Sequence, residues 1–69
     1  MRLVKLKFKN AKNIKNFISV HGLPKGSVYN HVKKFFIIAR LEELDIQSAI
    51  SMFKAVEKKA PLRIAGLQN

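Results

Sequence analysis

Cysteine and tryptophan are absent from the 69 residues, only two prolines and three glycines punctuate them, and acids number four against 14 lysines and arginines. Without cysteine there is neither a disulfide framework nor a thiolate zinc site, so a packed core or a partner subunit has to supply the stability of so short a chain. A reducing, intracellular setting fits that composition best. The longest apolar run, Phe35-Phe36-Ile37-Ile38-Ala39, falls far short of the roughly 20 residues that span a bilayer. Met1 leads into alternating lysines and not into a signal-peptide core, so a soluble, unprocessed cytoplasmic protein is expected, nucleoid-associated when bound, with no membrane partner. The shortage of acids, three of them packed into Glu42-Glu43-Asp45, together with only two histidines, leaves little for acid-base or metal chemistry. The expectation is a binding protein, not an enzyme, with no cofactor and no metal.

What is present is positive charge, unevenly placed. Arg2, Lys5, Lys7, Lys9, Lys12, Lys15, Lys25, Lys33, Lys34 and Arg40 precede the first acid, so residues 1–41 carry the entire net charge of +10, while residues 42–69 are neutral. Such a field opposes compaction and is best tolerated when a polyanion takes it up, which makes double-stranded DNA the leading partner. An ordinary solubilising surface would intersperse both signs.

The patterning divides the chain, read as one DNA-binding domain over 1–69, into four parts. Residues 1–9 alternate, with Val4, Leu6 and Phe8 on one side and Lys5, Lys7 and Lys9 on the other, the period of a half-buried basic strand. Asn10 and Asn13 are competent N-caps for a helix of about 8 to 12 residues carrying Ile14, Phe17, Ile18 and His21, and Gly22 closes it. Leu23 to Ser27 is a turn composition with Pro24 suited to the first position of a following helix, along which Val28, Val32, Phe35, Phe36 and Ala39 make a stripe. Ile37, Ile38 and Leu41 lie off that stripe, so the helix is apolar on more than one side, which suggests burial against neighbours or a second subunit and makes a homodimer the natural inference. Asp45 caps a third helix over 45–60 with Ile46, Ala49, Ile50, Phe53 and Val56 on one face; Pro61 stops it, and 61–69 is a closing strand or a tail. The fold class expected is mainly α: three helices containing a helix-turn-helix at 13–34, with a short N-terminal strand open to pairing with a C-terminal one.

Two short helices broken at Gly22 and sharing one apolar wedge are helix-turn-helix geometry, whose second helix presents Lys25, Gly26, Ser27, Tyr29, Asn30 and Lys33 to a major groove. Gly22-Leu-Pro-Lys-Gly-Ser-Val-Tyr-Asn-His-Val-Lys33 resembles the recognition helix of tetracycline-repressor family regulators, with Ile14, Phe17 and Ile18 upstream where that family keeps apolar positions. The resemblance implies that Lys25, Ser27 and Asn30 face bases or nearby backbone, that Tyr29 and Lys33 touch phosphates, and that Val28 and Val32 are core. The family's ligand-binding domain has no counterpart here, so induction by a small molecule is not implied.

A strand with exposed Lys5, Lys7 and Lys9 ahead of two helices also resembles a ribbon-helix-helix dimer, in which those lysines would enter the groove. Either way the function expected is that of a small sequence-specific transcriptional regulator, of a size common among phage and mobile-element proteins. The alternative is an interaction protein that inhibits or recruits a host replication or transcription enzyme through Ile37, Ile38 and Leu41. RNA binding ranks third, since Phe8 and Tyr29 are the rings that offer themselves for stacking. His31 reads as a surface or packed side chain, because no second ligand is spaced to help it hold a metal.

Overall fold

The structure is a computed structural model that describes residues 1–60. Its elements run β1 (Arg2–Lys7), α1 (Ala11–His21), β2 (Val28–Asn30), β3 (Phe36–Leu41), α2 (Glu43–Met52) and β4 (Val56–Lys58). The strands form one antiparallel sheet in the order β2-β3-β1-β4, the split βαβ connectivity in which each helix crosses over between two strands that flank a third. This α+β domain of two helices and four strands overturns the expected mainly-α, three-helix architecture.

The first 22 residues fold as their pattern dictates. Val4 and Leu6 of β1 are buried together with Phe8, and the lysines between them face away. Asn10 caps α1 by accepting the Asn13 amide at 2.8 Å, and Gly22 ends it at φ 73°, ψ 178°, a conformation that side chains with a Cβ rarely adopt. Ile14 and Phe17 of α1 meet Ile46 and Ala49 of α2 over Leu6, Ile37 and Ala39 of the two central strands, making one core.

Beyond Gly22 the expected second helix is replaced by a turn and a hairpin. Pro24 does not open a helix: its carbonyl accepts both the Ser27 amide (3.2 Å) and the Ser27 hydroxyl (2.7 Å), and Gly26 takes φ 90° as the third residue of the turn. Val28–Asn30 then pairs with Phe36–Ile38. The apparent stripe Val28, Val32, Phe35, Phe36, Ala39 therefore runs through a strand, a bend and another strand, and there is no helix-turn-helix. The apolar surplus of 36–41 has a different cause. β3 lies in the middle of the sheet, so Ile37, Ala39 and Leu41 enter the core while Phe36 and Ile38 lie on the opposite face.

The third helix is shorter and earlier than expected. Glu42, without a side-chain cap bond, precedes α2, and Asp45 sits inside its first turn. The helix ends at Phe53 because Lys54 adopts φ 59° and the amides of Phe53 and Ala55 both return to the Ala49 carbonyl, at 3.1 and 3.0 Å. Val56–Lys58 leaves the expected helix and pairs with β1 on the side away from β3. The expected closing strand or tail at 61–69 lies outside the described residues.

Arg2 ties the two ends of the described chain together. Its guanidinium donates to Glu57 at 2.6 Å and to Glu43 at 3.0 Å, and these bonds hold both carboxyls below their ordinary value. Because the folded-state values are depressed, the stabilisation is present at neutral pH and is lost as the pH falls below about 4.5, through the folded values. Thermal melts from pH 6 to pH 3 should therefore show Arg2→Met losing less of its melting temperature across the acid limb than the wild type; parallel limbs would count against the network. No helix among the described residues is long and apolar enough to cross a membrane.

Candidate nucleic-acid interface

Antiparallel pairing puts directly opposed residues on the same side of the sheet, so the register assigns the face away from the helices. One row across it reads Val28, Ile38, Lys5, Lys58, and the next reads Asn30, Phe36, Lys7, Val56, with Leu3 beside Arg40 at the end. Four cations and no acid occupy this face. Phe36 lies on a central strand, partly exposed, with the Lys5 Nζ 5.3 Å from its ring centroid. A ring at the start of a central strand, with one ammonium over it and Lys7 directly opposite, can stack a base while the cations of the face hold its phosphates.

The acids are elsewhere and occupied. Glu42 meets the N-terminal ammonium at 3.2 Å, Glu43 and Glu57 hold Arg2, and Asp45 lies 3.3 Å from the His21 ring. Ser48 contacts the other nitrogen of that ring at 3.0 Å, and Phe17 and Phe53 pack against it, so His21 serves the junction of the helices. Among the described residues none of the lysines, nor Arg40, is paired with an acid.

The positive field is densest where β1 ends, β3 begins and α2 turns into β4. There a groove of about 410 Å³ is lined by Lys7, Lys9, Lys33, Lys34, Lys54 and Lys58 over an apolar floor of Phe8, Phe35 and Val56. Charges distant in sequence meet here because the crossovers return the chain to the same end of the sheet.

The structure sorts the residues expected to bind. Lys5 and Lys7 share the open face, Lys7 also reaches the groove, and Lys9 and Lys33 line it. Lys25, Gly26 and Ser27 belong to the turn, not to a recognition helix, and the Ser27 hydroxyl is spent on Pro24. Tyr29 projects to the helix side of the edge strand, opposite Ile37, and stacks on His31 with ring centroids 5.6 Å apart beside Lys15 and Ser19. Asn30 reaches the open face by register, yet its Oδ1 accepts the amides of Val32 (2.9 Å), Lys33 (3.0 Å) and Lys34 (3.4 Å). Its role is to hold the bend that presents the two lysines.

Asn30→Ala should accordingly cost about 1 kcal/mol and lower the melting temperature by several degrees, whereas Asn30→Asp, which keeps the acceptor, should melt close to wild type. A change in base preference with unchanged stability would restore Asn30 to a reading role. Phe8, one of the two rings offered for stacking, is buried at 3% exposure and cannot serve. The residues missed were Phe36, Arg40, Lys34, Lys54 and Lys58. Reading 36–41 with a period of two would have found Phe36 and Arg40 on one side; the lysines carried no local signal.

Among the described residues no three His, Asp or Glu side chains converge as a metal site. Comparison with protein-family models, with curated proteins and with solved structures finds no match to the chain, so its function has to be argued from this geometry.

Proposed function

We propose that the protein binds nucleic acid through the open face of its sheet, with unpaired strands preferred over duplex. The observation that carries the reading is Phe36 on a central strand with Lys5 over its ring and Lys7 directly opposite, on a face that also carries Arg40 and Lys58 and no acid. Unstacked bases offer a π-face to the ring whatever their identity, and the surrounding cations neutralise the connecting phosphates. Geometry favours the single strand. Four strands at about 4.8 Å spacing give a surface some 14 Å between outer axes before side chains are added, wider than the major groove of about 12 Å that admits a helix or a two-stranded ribbon.

Association through Ile37, Ile38 and Leu41 has little to support it, because these are 0, 8 and 3% exposed. The test is a titration of labelled 12-mer single strands and the corresponding duplexes, followed by anisotropy at two salt concentrations. Tighter, salt-sensitive binding of the single strand supports the proposal; duplex preference would move the interface to the lysines of α1, and no binding at low salt would overturn it.

A further inference from the structure

The lysine groove contains more charge than a nucleic-acid backbone crossing the sheet can use. Six lysines from four segments, Lys7, Lys9, Lys33, Lys34, Lys54 and Lys58, line a space of about 410 Å³ without an acid in its lining. A strand offers one negative charge per about 3.4 Å of helix axis, so one or two diester phosphates would leave most of these cations repelling one another.

The backbone around the groove is also held in unfavourable conformations. Among the described residues the two non-glycine positions with positive φ are Phe35 (52°) and Lys54 (59°), and both line it. For a bulky aromatic this is an outlier, and such outliers gather where a surrounding structure fixes groups for a task. Here Phe35 gives its carbonyl to the Phe8 amide at 2.7 Å and its ring to the floor, while Asn30 organises the bend carrying Lys33 and Lys34. The lysines are therefore mounted on a fixed frame and not on loose chain.

We infer that the groove receives a run of adjacent phosphates, the 5′-triphosphate end of a strand whose bases lie on the sheet. This rests on the function proposed above, since Lys7 and Lys58 belong to both surfaces and make the groove the continuation of the open face. A triphosphate concentrates about four negative charges within the reach of the lysine side chains, and its apolar neighbours exclude some of the water that would screen them.

The test uses the whole protein and three 10-mer single strands of one sequence, ending in a 5′-triphosphate, a 5′-monophosphate or a 5′-hydroxyl, with inorganic tripolyphosphate as competitor. The triphosphate strand should bind about tenfold more tightly than the hydroxyl strand at fixed salt. Lys33→Gln/Lys34→Gln should abolish that difference while leaving the hydroxyl strand within about threefold of its wild-type affinity. Phe36→Ala should weaken all three strands by the same factor and leave the ratio intact. Unchanged circular dichroism melts establish that each variant is folded, and Lys54→Gln provides a second groove variant if the double one is not. Equal affinity for the three ends, or a preference insensitive to the lysine substitutions, overturns the inference even if the strands bind. Absence of binding by the hydroxyl strand together with competent, Lys33- and Lys34-dependent tripolyphosphate binding overturns the sheet-face reading instead and leaves a free polyphosphate site.

Discussion

Phe17→Ala should remove a third or more of the folding stability and, at the lower end of the expected range, leave no folded protein at 37 °C. Phe17 is fully buried, and its ring lies 5.8 Å from Phe8, 4.8 Å from His21 and 5.5 Å edge-on from Phe53, so one side chain joins the end of β1, the middle of α1 and the end of α2. Truncating a buried phenylalanine to alanine costs about 3–5 kcal/mol, the lost transfer energy plus the cavity left behind. A chain of this size holds only about 3–10 kcal/mol in all, and no disulfide or described metal site shares the burden. The expected result is loss of the cooperative thermal transition in circular dichroism, or a denaturation midpoint near zero. Val20→Ala on the same helix, at 67% exposure, should stay within about 0.5 kcal/mol of wild type. If Phe17→Ala and Val20→Ala melt alike, α1 does not lie on the sheet as described.

The second large effect separates the two components of the proposed interface. Phe36→Ala removes the stacking ring but no charge, and should weaken single-strand binding by about 1–3 kcal/mol, roughly fivefold to more than a hundredfold, with the salt dependence unchanged. Lys5→Gln/Lys7→Gln removes two cations and leaves the ring. If the four cations of the face neutralise about four phosphates, the log-log salt slope for a single strand is near −3, so raising salt from about 50 to 200 mM costs about fiftyfold in affinity, and the double variant should flatten the slope by about 1.4. A Phe36 variant that changes the slope, or a lysine variant that does not, would mean that the sheet face is not where the strand lies.

The two outcomes also discriminate between a stacked strand and a diffuse counterion cloud around a basic protein. A cloud responds to net charge alone, and removing Phe36 would be silent. Stacking on a ring held between Lys5 and Lys7 is local, so the loss should be reproduced neither by Lys12→Gln nor by Lys25→Gln, which lie away from the described face.

Legibility in the sequence followed the range of the forces involved. β1 and α1 were readable because their signals are short-range: alternation of Val4, Leu6 and Phe8 with lysines, the Asn10 side chain three residues from the amide it caps, and a glycine where the backbone needs positive φ. The turn at Pro24 to Ser27 was readable as a turn but not as the entrance to a strand. From Val28 to Leu41 the helical spacing of apolar residues was fortuitous, and the better clue, a run of β-branched and aromatic residues, is what a central strand flanked on both edges shows. A short apolar run of this kind fits a buried strand and a buried helix equally well by periodicity alone.

The candidate site was legible only in part. Lys5 and Lys7 were named from alternation and do share the open face, whereas Tyr29 was set aside by one residue of register, which turns a side chain to the other side of the sheet. Phe36 entered the site because β3 pairs with β1 across the intervening chain of residues 8–35, a pairing that no local pattern announces.

By itself the sequence determined the charge asymmetry, the absence of covalent staples, and the first strand and helix, because composition and local hydrogen bonding do not depend on what the chain meets later. Tertiary structure decided that residues 28–41 are hairpin and not helix, that all four acids are occupied away from the open face, and that lysines from four segments converge on one groove. Those outcomes depend on long-range pairing, where burying Ile37, Ala39 and Leu41 of β3 under the helices and closing the backbone ladder of β1 outweigh the small local preferences of the segments concerned.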